Sequence, residues 1–365
     1  SMTYEKELQS KLDFVNGNME RIAKLPIRCE EIIGASDILR YRNKAQYPVC
    51  IQGNGFCAGF YAYKSHRIVP AADCLLQPAE FKAGVEAFEK WALAANVSSF
   101  DEKSGRGLLR HIYFRKAFAT GEIMACAVIN GSSVPEPQML VSFLQSALPG
   151  LKSVVLNINK NKTNVILGEK TKLLWGSEKI TDMLLGKKFI ISPQSFYQVN
   201  HAQCEKLYSA AAELAGLSGS ETVLDMYCGA GTVGISLSDK CKSLCGIEIV
   251  PQAVENAIEN ARLNNLSSAE FICADAYEGA KILTQKGVRP DVVILDPPRK
   301  GCQREIFDII AGLGVKKIVY ISCNSATLAR DLQILSQAGY NAKRLNAVDL
   351  FPRTPHIECV ALIEK

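Results

Sequence analysis

The sequence predicts a two-domain α/β protein in which an open, mostly parallel sheet follows a smaller β-rich region. The chain has 365 residues, of which 48% are hydrophobic, and is too long for one ordinary core. After Pro193, short apolar strands alternate with helical segments, as in a parallel sheet with crossover helices. Between about Ser36 and Ile191 the strands are short and alternating, and turns such as Thr120–Gly121 join neighbours as antiparallel hairpins.

These patterns predict three regions: an N-terminal helix over residues 1–35 that packs on the C-terminal domain, a central β-rich domain over 36–191, and a C-terminal α/β domain over 192–365. Ser1–Met2 resembles a tag remnant, and no apolar run of membrane-spanning length follows, so we expect a cytoplasmic protein without a membrane partner. The thirteen cysteines include no C-x-x-C pair, which favours reduced thiols. A net charge of +5 permits a polyanionic partner without requiring one.

In the first region, apolar residues recur at steps of three and four, which predicts an amphipathic helix ending near Pro26. In the central domain we expect a helix over Pro78–Ala95 and a hairpin turn over residues 161–164. The strands predicted for this domain are Ile38–Gln52, Phe56–Val69, Leu108–Phe118, Glu122–Ile129, Val154–Asn159 and Asn164–Leu167.

The first of these strands carries a polar and basic row that the period of two would place on one face. The row consists of Arg40, Arg42, Lys44 and Gln46. Such a row is either a solvated strand face or a basic strip that contacts phosphates.

In the C-terminal domain the pattern predicts seven strands, of which the last two pair as an antiparallel edge. The strands are Thr222–Tyr227, Ser243–Ile249, Glu270–Ala274, Val292–Leu295, Ile318–Ser322, Ala342–Leu350 and His356–Ile363. The helical segments between them are Val233–Asp239, Gln252–Asn264, Arg304–Leu313 and Ala326–Ala338.

A glycine-rich turn follows the first of these seven strands, at the position where an open α/β sheet binds its ligand. Gly229 and Gly231 would let the backbone approach a nucleotide-like ligand, although two glycines alone are a weak signal. Glu248 and Asp275 end the next two strands and suit the ribose hydroxyls and an adenine edge of such a ligand, and Asp296 ends the fourth strand. For any one of them alone, a helix cap or a solvated loop is the simpler interpretation.

As a set, these residues resemble a class I S-adenosylmethionine-dependent methyltransferase, whose sheet also ends in an antiparallel hairpin. A nicotinamide-dependent oxidoreductase is the competing interpretation. The glycine spacing and the absence of an evident Tyr and Lys proton relay disfavour it.

Cys323 lies between an apolar strand and a helix, which suggests a nucleophile. Helix amides are expected to lower the pKa of its thiol. A buried strand-end cysteine without chemistry is the alternative. Asp296–Pro297–Pro298 is followed by Arg299 rather than by the aromatic residue typical of enzymes that methylate exocyclic amines.

Carbon 5 of a pyrimidine becomes nucleophilic only after a thiolate adds to C6, and a base must then remove the C5 proton. Glu358 opens the final strand, which should lie beside the strand that ends before Cys323, and is therefore the predicted base. A surface carboxylate without a role is the alternative.

Five segments carry a family pattern: Ser195–Asn200, Asp225–Gly231, Leu295–Gly301, Ser322–Asp331 and Phe351–Glu358. Together they resemble the RNA uracil-C5 methyltransferase family, which modifies uridines in 23S ribosomal RNA and in tRNA. The resemblance implies that Cys323 is the nucleophile and Glu358 the base. The residues implied to hold S-adenosyl-L-methionine are Gln198, Tyr227, Glu248 and Asp296, supported by Asp275, Gly229 and Gly231. Phe196 is suited to stack on the extruded uracil and Arg42 to contact RNA.

The implied activity is methyl transfer to C5 of a uridine in RNA, with 23S rRNA the first choice of substrate, tRNA the second, and a monomeric enzyme expected. An RNA cytosine-C5 methyltransferase remains the nearest alternative, but the second cysteine typical of that family is missing after Pro297. A second alternative is a protein that binds RNA without catalysing a reaction. Family members usually carry a β-barrel domain and a cysteine cluster that binds iron and sulfur. Only Cys74 matches a ligand position, so we expect no cluster and no other metal in this chain.

Overall fold

The computed structural model describes residues 2–52, 55–162 and 164–365. The chain divides into two compact units, and it passes between them more than once near residues 184–196. The first unit contains Ser1–Ile38, Leu184–Phe189 and Phe196–Lys365; the second contains Leu39–Met183 and Ile190–Ser195.

The first unit is built on an eight-stranded sheet in the order β1-β16-β17-β15-β14-β11-β12-β13. All neighbouring strands are parallel except β17, which runs antiparallel to β15 and β16 and confirms the predicted pairing of the last two strands. These two strands do not form the edge of the sheet, because β1 lies outside β16. The strands are β1 (Ile32–Ile33), β11 (Thr222–Met226), β12 (Ser243–Glu248), β13 (Ala269–Cys273), β14 (Val292–Leu295), β15 (Lys317–Ser322), β16 (Asn341–Val348) and β17 (Glu358–Glu364). The two-residue strand β1 adds an eighth member to the seven predicted, because so short a strand leaves no periodic pattern in the sequence.

Helices cover the faces of this sheet. They are α1 (Tyr4–Asn18), α4 (His201–Ala215), α5 (Thr232–Leu237), α6 (Pro251–Leu263), α7 (Ala276–Gln285), α8 (Arg304–Gly312) and α9 (Ser325–Gln337). The sequence analysis did not identify α4 and α7. The predicted N-terminal helix is present, and it continues through a π-helical turn, Met19–Ala23. Val15 and Met19 are fully buried in the same apolar cluster as β14 and β15.

A buried ion pair connects α1 to the segment that leads into β17. The Lys11 ammonium lies 2.7 Å from an Asp349 carboxylate oxygen, and Asp349 is fully buried. The Tyr4 hydroxyl donates to the other oxygen of Asp349 at 2.8 Å. This segment is therefore fixed by side chains far away in the sequence, a few residues before Glu358.

The second unit contains a seven-stranded sheet in the order β4-β3-β2-β5-β6-β7-β8, with two helices packed on its core. The strands are β2 (Lys44–Gln52), β3 (Gly55–Tyr61), β4 (Ile68–Pro70), β5 (Leu109–Lys116), β6 (Ile123–Ile129), β7 (Leu151–Ile158) and β8 (Lys170–Gly176). The helices are α2 (Glu80–Ala94) and α3 (Pro137–Ala147). A separate two-stranded sheet pairs β9 (Ile180–Leu184) with β10 (Lys187–Ile191).

The prediction of purely antiparallel pairing was wrong for one pair in this unit. The hairpin of β5 and β6 around Thr120–Gly121 is antiparallel as predicted, but β6 and β7 are parallel. A parallel pair needs a crossover connection, and α3 supplies it. The sequence pattern did not predict α3, and the direction predicted for β7 was therefore wrong.

Several strand limits also differ from the prediction. The first strand begins at Lys44 instead of Ile38, and Phe56–Val69 is divided into β3 and β4. Asn164–Leu167 is not a strand, and the antiparallel partner of β7 is β8. The predicted turn over residues 161–164 includes Thr163, which lies outside the described residues.

The basic row predicted for the first strand forms only in part: Arg42, Lys44 and Gln46 alternate with buried neighbours, but Arg40 does not continue the row. Arg40 has a left-handed backbone with φ of 58°, so the alternation of an extended strand stops there. Its guanidinium instead pairs with Asp73 at 2.7 Å and donates to the Cys74 carbonyl at 3.0 Å. Burial, with nearby Arg115 and Arg42, lowers the pKa of Lys44 to about 8. Across the described residues, none of the helices is both long and apolar enough to cross a bilayer.

Candidate active site

The glycine-rich turn follows the carboxyl end of β11, the edge at which parallel sheets bind ligands. Tyr227, Gly229 and Gly231 all have positive φ, of 67°, 55° and 78°. A Cβ on Gly231 would lie 2.8 Å from the Ile235 side chain, whereas a Cβ on Gly229 would meet no atom within 4 Å. Gly231 is therefore needed for packing, and Gly229 leaves open space beside the turn.

Asp225 lies beneath this turn and is almost completely buried. Its Oδ2 accepts a hydrogen bond from the Gly234 amide at 2.9 Å, and its Oδ1 has no hydrogen-bond partner among the described residues. Burial raises the pKa of Asp225 to about 7, and the nearby Asp296 and Glu248 carboxylates act in the same direction.

Two of the predicted acidic residues are held by backbone amides. Glu248 accepts from the Gly229 amide at 3.0 Å and from the Val250 amide at 2.9 Å, which fixes it beside the glycine turn. Asp275 is exposed, and its Oδ1 caps α7 by accepting from the amides of Tyr277 and Glu278. Oδ1 of Asp275 therefore acts as a helix cap, which is the simpler of the two interpretations given above.

The other predicted ligand residues also lie in the first unit. Asp296 follows β14 directly, and burial raises the pKa of its carboxyl to about 7. Gln198 and Tyr227 are half-buried. Phe196 is 68% exposed, so its ring is available to another molecule.

Cys323 and Glu358 meet at the end of one strand pair. In the antiparallel ladder of β15 and β17, Ser322 is opposite Cys359. Cys323 directly follows Ser322 and Glu358 directly precedes Cys359, so the two residues are neighbours at this end of the ladder, and the Glu358 carboxylate is close enough to raise the pKa of the Cys323 thiol. The sequence analysis predicted this adjacency from the strand order, and it is confirmed.

The expected effect of helix amides on Cys323 is wrong. Burial raises the pKa of the Cys323 thiol, and the Glu358 and Asp296 carboxylates raise it further. The first amides of α9 are already used, because the Asn324 side chain accepts from Ala326 at 3.0 Å and from Thr327 at 3.4 Å. The helix N-terminus is therefore capped by Asn324.

Arg299 is the residue that opposes these shifts, and the sequence analysis did not assign it a role. A hydrogen bond from its guanidinium and its charge both lower the pKa of the Cys323 thiol. Its Nη2 lies 2.9 Å from Nδ1 of His356. Glu358 is 4% exposed, and burial raises the pKa of its carboxyl well above the usual range, with Asp296 adding to the effect and Arg299 opposing it.

A buried network holds the loop that carries Arg299. Asp331 is fully buried, and its Oδ2 accepts from the Tyr320 hydroxyl at 2.6 Å and from the Cys302 amide at 2.9 Å. Arg330, paired with Asp331, donates to the Lys300 carbonyl at 2.9 Å. The signal in the sequence was the pair Arg330–Asp331, which lies about two helical turns after Cys323.

Arg42 lies in the second unit and is half-buried. Cys74 lies in that unit as well. In the part of the chain that the structure describes, His, Cys, Asp and Glu side chains do not gather in groups of three or more that could hold a metal ion.

Comparisons with known proteins agree on one family. A family model described as tRNA (Uracil-5-)-methyltransferase matches residues 150–365. Uncharacterized RNA methyltransferases of Caldanaerobacter subterraneus subsp. tengcongensis and Halalkalibacterium halodurans are each 43% identical over 364 residues, or 100% of this chain and 80% of each relative.

A solved structure agrees as well. The tRNA (uracil-54, C5)-methyltransferase of Pyrococcus abyssi, in complex with S-adenosyl-L-homocysteine, has a TM-score of 0.80 and 28% identity, over 98% of this chain and 83% of that chain. The likeness confirms the predicted fold class, a class I S-adenosylmethionine-dependent methyltransferase with an additional β-rich domain. Because the family model matches more than half of the chain and relatives match it along its length, this chain belongs to the tRNA (Uracil-5-)-methyltransferase family.

Proposed function

We propose that this protein transfers a methyl group from S-adenosylmethionine to C5 of a uridine in RNA through a covalent adduct between Cys323 and C6 of the base. The observation that carries the proposal is that Cys323 and the buried Glu358 lie next to each other at one end of the β15–β17 ladder, with the Arg299 guanidinium hydrogen-bonded to the thiol. A thiol and a carboxyl group at neighbouring positions can act on two neighbouring carbons of one ring.

The first unit has features that suit a methyl donor built from a nucleoside and an amino acid. There is open space beside the backbone of Gly229, and Glu248 is fixed next to this turn. One buried oxygen of Asp225 has no hydrogen-bond partner within the described residues. We propose that Gln198, Tyr227, Glu248 and Asp296 hold this molecule, with Asp275 at its edge. When bound, S-adenosylmethionine supplies an electrophilic methyl group.

The residues of the chain account for the remaining steps. The Cys323 thiolate, stabilised by Arg299, adds to C6 and makes C5 nucleophilic. After C5 has taken the methyl group, Glu358 removes the C5 proton, and the thiolate leaves as the C5–C6 double bond reforms. A buried carboxylate with a raised pKa suits this role, because it holds the proton that it has taken.

For the RNA, we propose 23S rRNA on the basis of the sequence resemblance. The likeness to the Pyrococcus abyssi enzyme favours tRNA as the second candidate. Incubation with tritiated donor and each purified RNA, followed by nucleoside analysis, separates the two. Label in 5-methylcytidine would instead support the cytosine alternative, and no label in any RNA would refute the proposed function.

Glu248→Ala is expected to weaken S-adenosylmethionine binding by about 1–3 kcal/mol, because the ligand loses an acceptor and the Gly229 amide loses its partner. Calorimetry with the purified variant measures this change. Glu255→Ala, which removes an exposed carboxylate on α6, is the matched control and should bind like the wild type. Equal affinity of Glu248→Ala and the control would mean that the ligand binds elsewhere.

Arg299→Gln is expected to move the rising limb of the pH–rate profile to higher pH. Arg299 lowers the pKa of both the Cys323 thiol and the Glu358 carboxyl, so its removal raises both, and each group then ionises at a higher pH. Initial rates measured between about pH 6 and 10 test this shift. The neighbouring exposed cation provides the control, since Lys300→Gln should leave the profile in place.

A further inference from the structure

The second unit contains a large open groove that has no role in the proposed chemistry. Its volume is about 1010 Å³, and it is lined by parts of β2, β3 and β5 together with the loop before β5. Sites for small ligands usually occupy about 300–1,000 Å³. The groove therefore has room for a ligand longer than one small molecule.

Four cations line this groove without a carboxylate partner. Arg67, Lys103 and Lys162 are exposed, and Arg110 is buried at its floor. Within the described ranges, none of the four forms a salt bridge. Nη1 of Arg110 donates only to backbone carbonyls, those of Asn159 at 2.9 Å and residue 161 at 2.8 Å. Glu102 acts on Arg110, and Asp101 on Lys103, only through space. Cations that form no ion pair remain able to attract an anionic ligand.

The two acidic residues of the groove are already engaged. Asp101 accepts from the Ser104 amide at 2.6 Å, and this bond helps to hold its pKa below the usual range. Glu102 pairs with His66 and accepts from the Tyr61 hydroxyl at 3.3 Å. Both carboxylates remain negative, but the four cations outnumber them, so the net charge that a ligand would meet is positive.

Aromatic side chains lie among these cations. Phe100 is half-buried, and the Arg110 guanidinium lies 4.3 Å from the centre of its ring. Tyr61 and His66 meet edge to face at 5.6 Å and are both exposed. Aromatic faces beside cations are the common feature of grooves that bind single-stranded nucleic acid, where the bases stack and the phosphates meet Lys and Arg.

Two buried nitrogen atoms at the floor of the groove are unsatisfied. Nε of Arg110 and Nδ1 of His111 have no hydrogen-bond partner among the residues described. Burial lowers the pKa of His111 to about 4, so its imidazole is neutral and can either donate or accept at this nitrogen. Buried polar atoms without partners are uncommon in folded proteins, and two in one groove indicate a missing polar partner.

We propose that this groove binds a single-stranded segment of the substrate RNA, at a site separate from the one that methylates the uridine. The phosphates lie along Lys103, Lys162 and Arg67, and a base stacks in the region of Phe100. This inference rests on the proposed RNA substrate. It adds a second contact region whose strength depends on salt and on the absence of base pairing.

The first test uses a fluorescein-labelled octamer of adenosine ribonucleotides, which contains no uracil. The double variant Lys103→Glu/Lys162→Glu is expected to bind it at least tenfold more weakly than the wild type at 0.1 M salt. The slope of log K against log salt should fall by about 1.4, or 0.7 for each lost contact. The matched control, Lys90→Glu/Lys172→Glu, reverses two exposed lysines outside the groove and should change affinity less than twofold.

The second test concerns stacking and location. Phe100→Leu keeps an apolar side chain but removes the aromatic face, and it should weaken octamer binding about fivefold or more. A photoreactive octamer should crosslink to peptides covering residues 61–68 or 99–103. Unfolding midpoints equal to that of the wild type would show that the variants are folded.

Three results would overturn the proposal: equal affinity of the groove and control variants, crosslinks confined to other peptides, or equal competition by duplex RNA or inorganic tripolyphosphate. The last result would identify a site for anions in general. Methyl transfer to uridine-containing RNA is measured separately with the same wild-type protein. Its absence would refute the proposed function, whereas normal transfer with unchanged octamer binding by the groove variants would refute the groove alone.

Discussion

Glu358→Gln is expected to stall on its RNA as a covalent adduct between Cys323 and an already methylated uridine. The amide has nearly the shape of the buried carboxyl but cannot accept the C5 proton, and the thiolate cannot leave until that proton is removed. The variant also lacks the charge of Glu358, which raises the pKa of the Cys323 thiol. Formation of the adduct should therefore proceed at least as readily as in the wild type.

Denaturing gels with labelled RNA measure this outcome as a slowly migrating band that requires S-adenosylmethionine. Turnover should fall by roughly 10²–10⁴-fold, the usual contribution of a general base. The band should form on loop uridines far more than on paired ones, since the base must leave the helix to reach both residues. Glu364→Gln, at the other end of β17, is the control. Free turnover by Glu358→Gln without a band would assign the base to another group.

Cys323→Ser should lose methyl transfer by roughly 10³-fold or more, because a hydroxyl at this position is a far weaker nucleophile than a thiolate. Binding of S-adenosylmethionine should be nearly unchanged, since its proposed contacts lie at other strand ends. The comparison of tritium transfer with calorimetry therefore separates the two roles.

Cys273→Ser is the matched control for this change, because it removes an exposed thiol from the same unit. It should retain wild-type turnover. The double variant Cys323→Ser/Glu358→Gln should give no adduct at all, since the sulfur that forms the bond is missing. Substantial turnover by Cys323→Ser would contradict the assignment of the nucleophile.

In the first unit, local sequence patterns predicted most of the sheet. The strands that end before Asp296 and Cys323 are buried, continuous apolar runs, and such runs are visible without any knowledge of their neighbours. The resemblance to class I methyltransferases implied the order of these strands, so the pairing of β15 with β17 was predictable too.

In the second unit, the local patterns were less informative. In the sequence, Arg40 fits the alternating pattern of a strand. In the structure its backbone is left-handed, and its guanidinium pairs with Asp73. The direction of β7 depends on α3, which forms the crossover between β6 and β7. Without this helix, two successive strands are predicted to pair as an antiparallel hairpin. Contacts between residues that are distant in the sequence decide both features, and a short stretch of sequence does not contain these contacts.

The sequence by itself determined the fold class, the family and the adjacency of Cys323 and Glu358, because these depend on strand order and on residue types at strand ends. Only the tertiary structure decided the electrostatics of the site. The pKa of Cys323 is set by burial, by two carboxylates and by Arg299, which converge from separate strand ends. Coulombic and desolvation effects depend on distances through space, and the folded chain alone defines those distances.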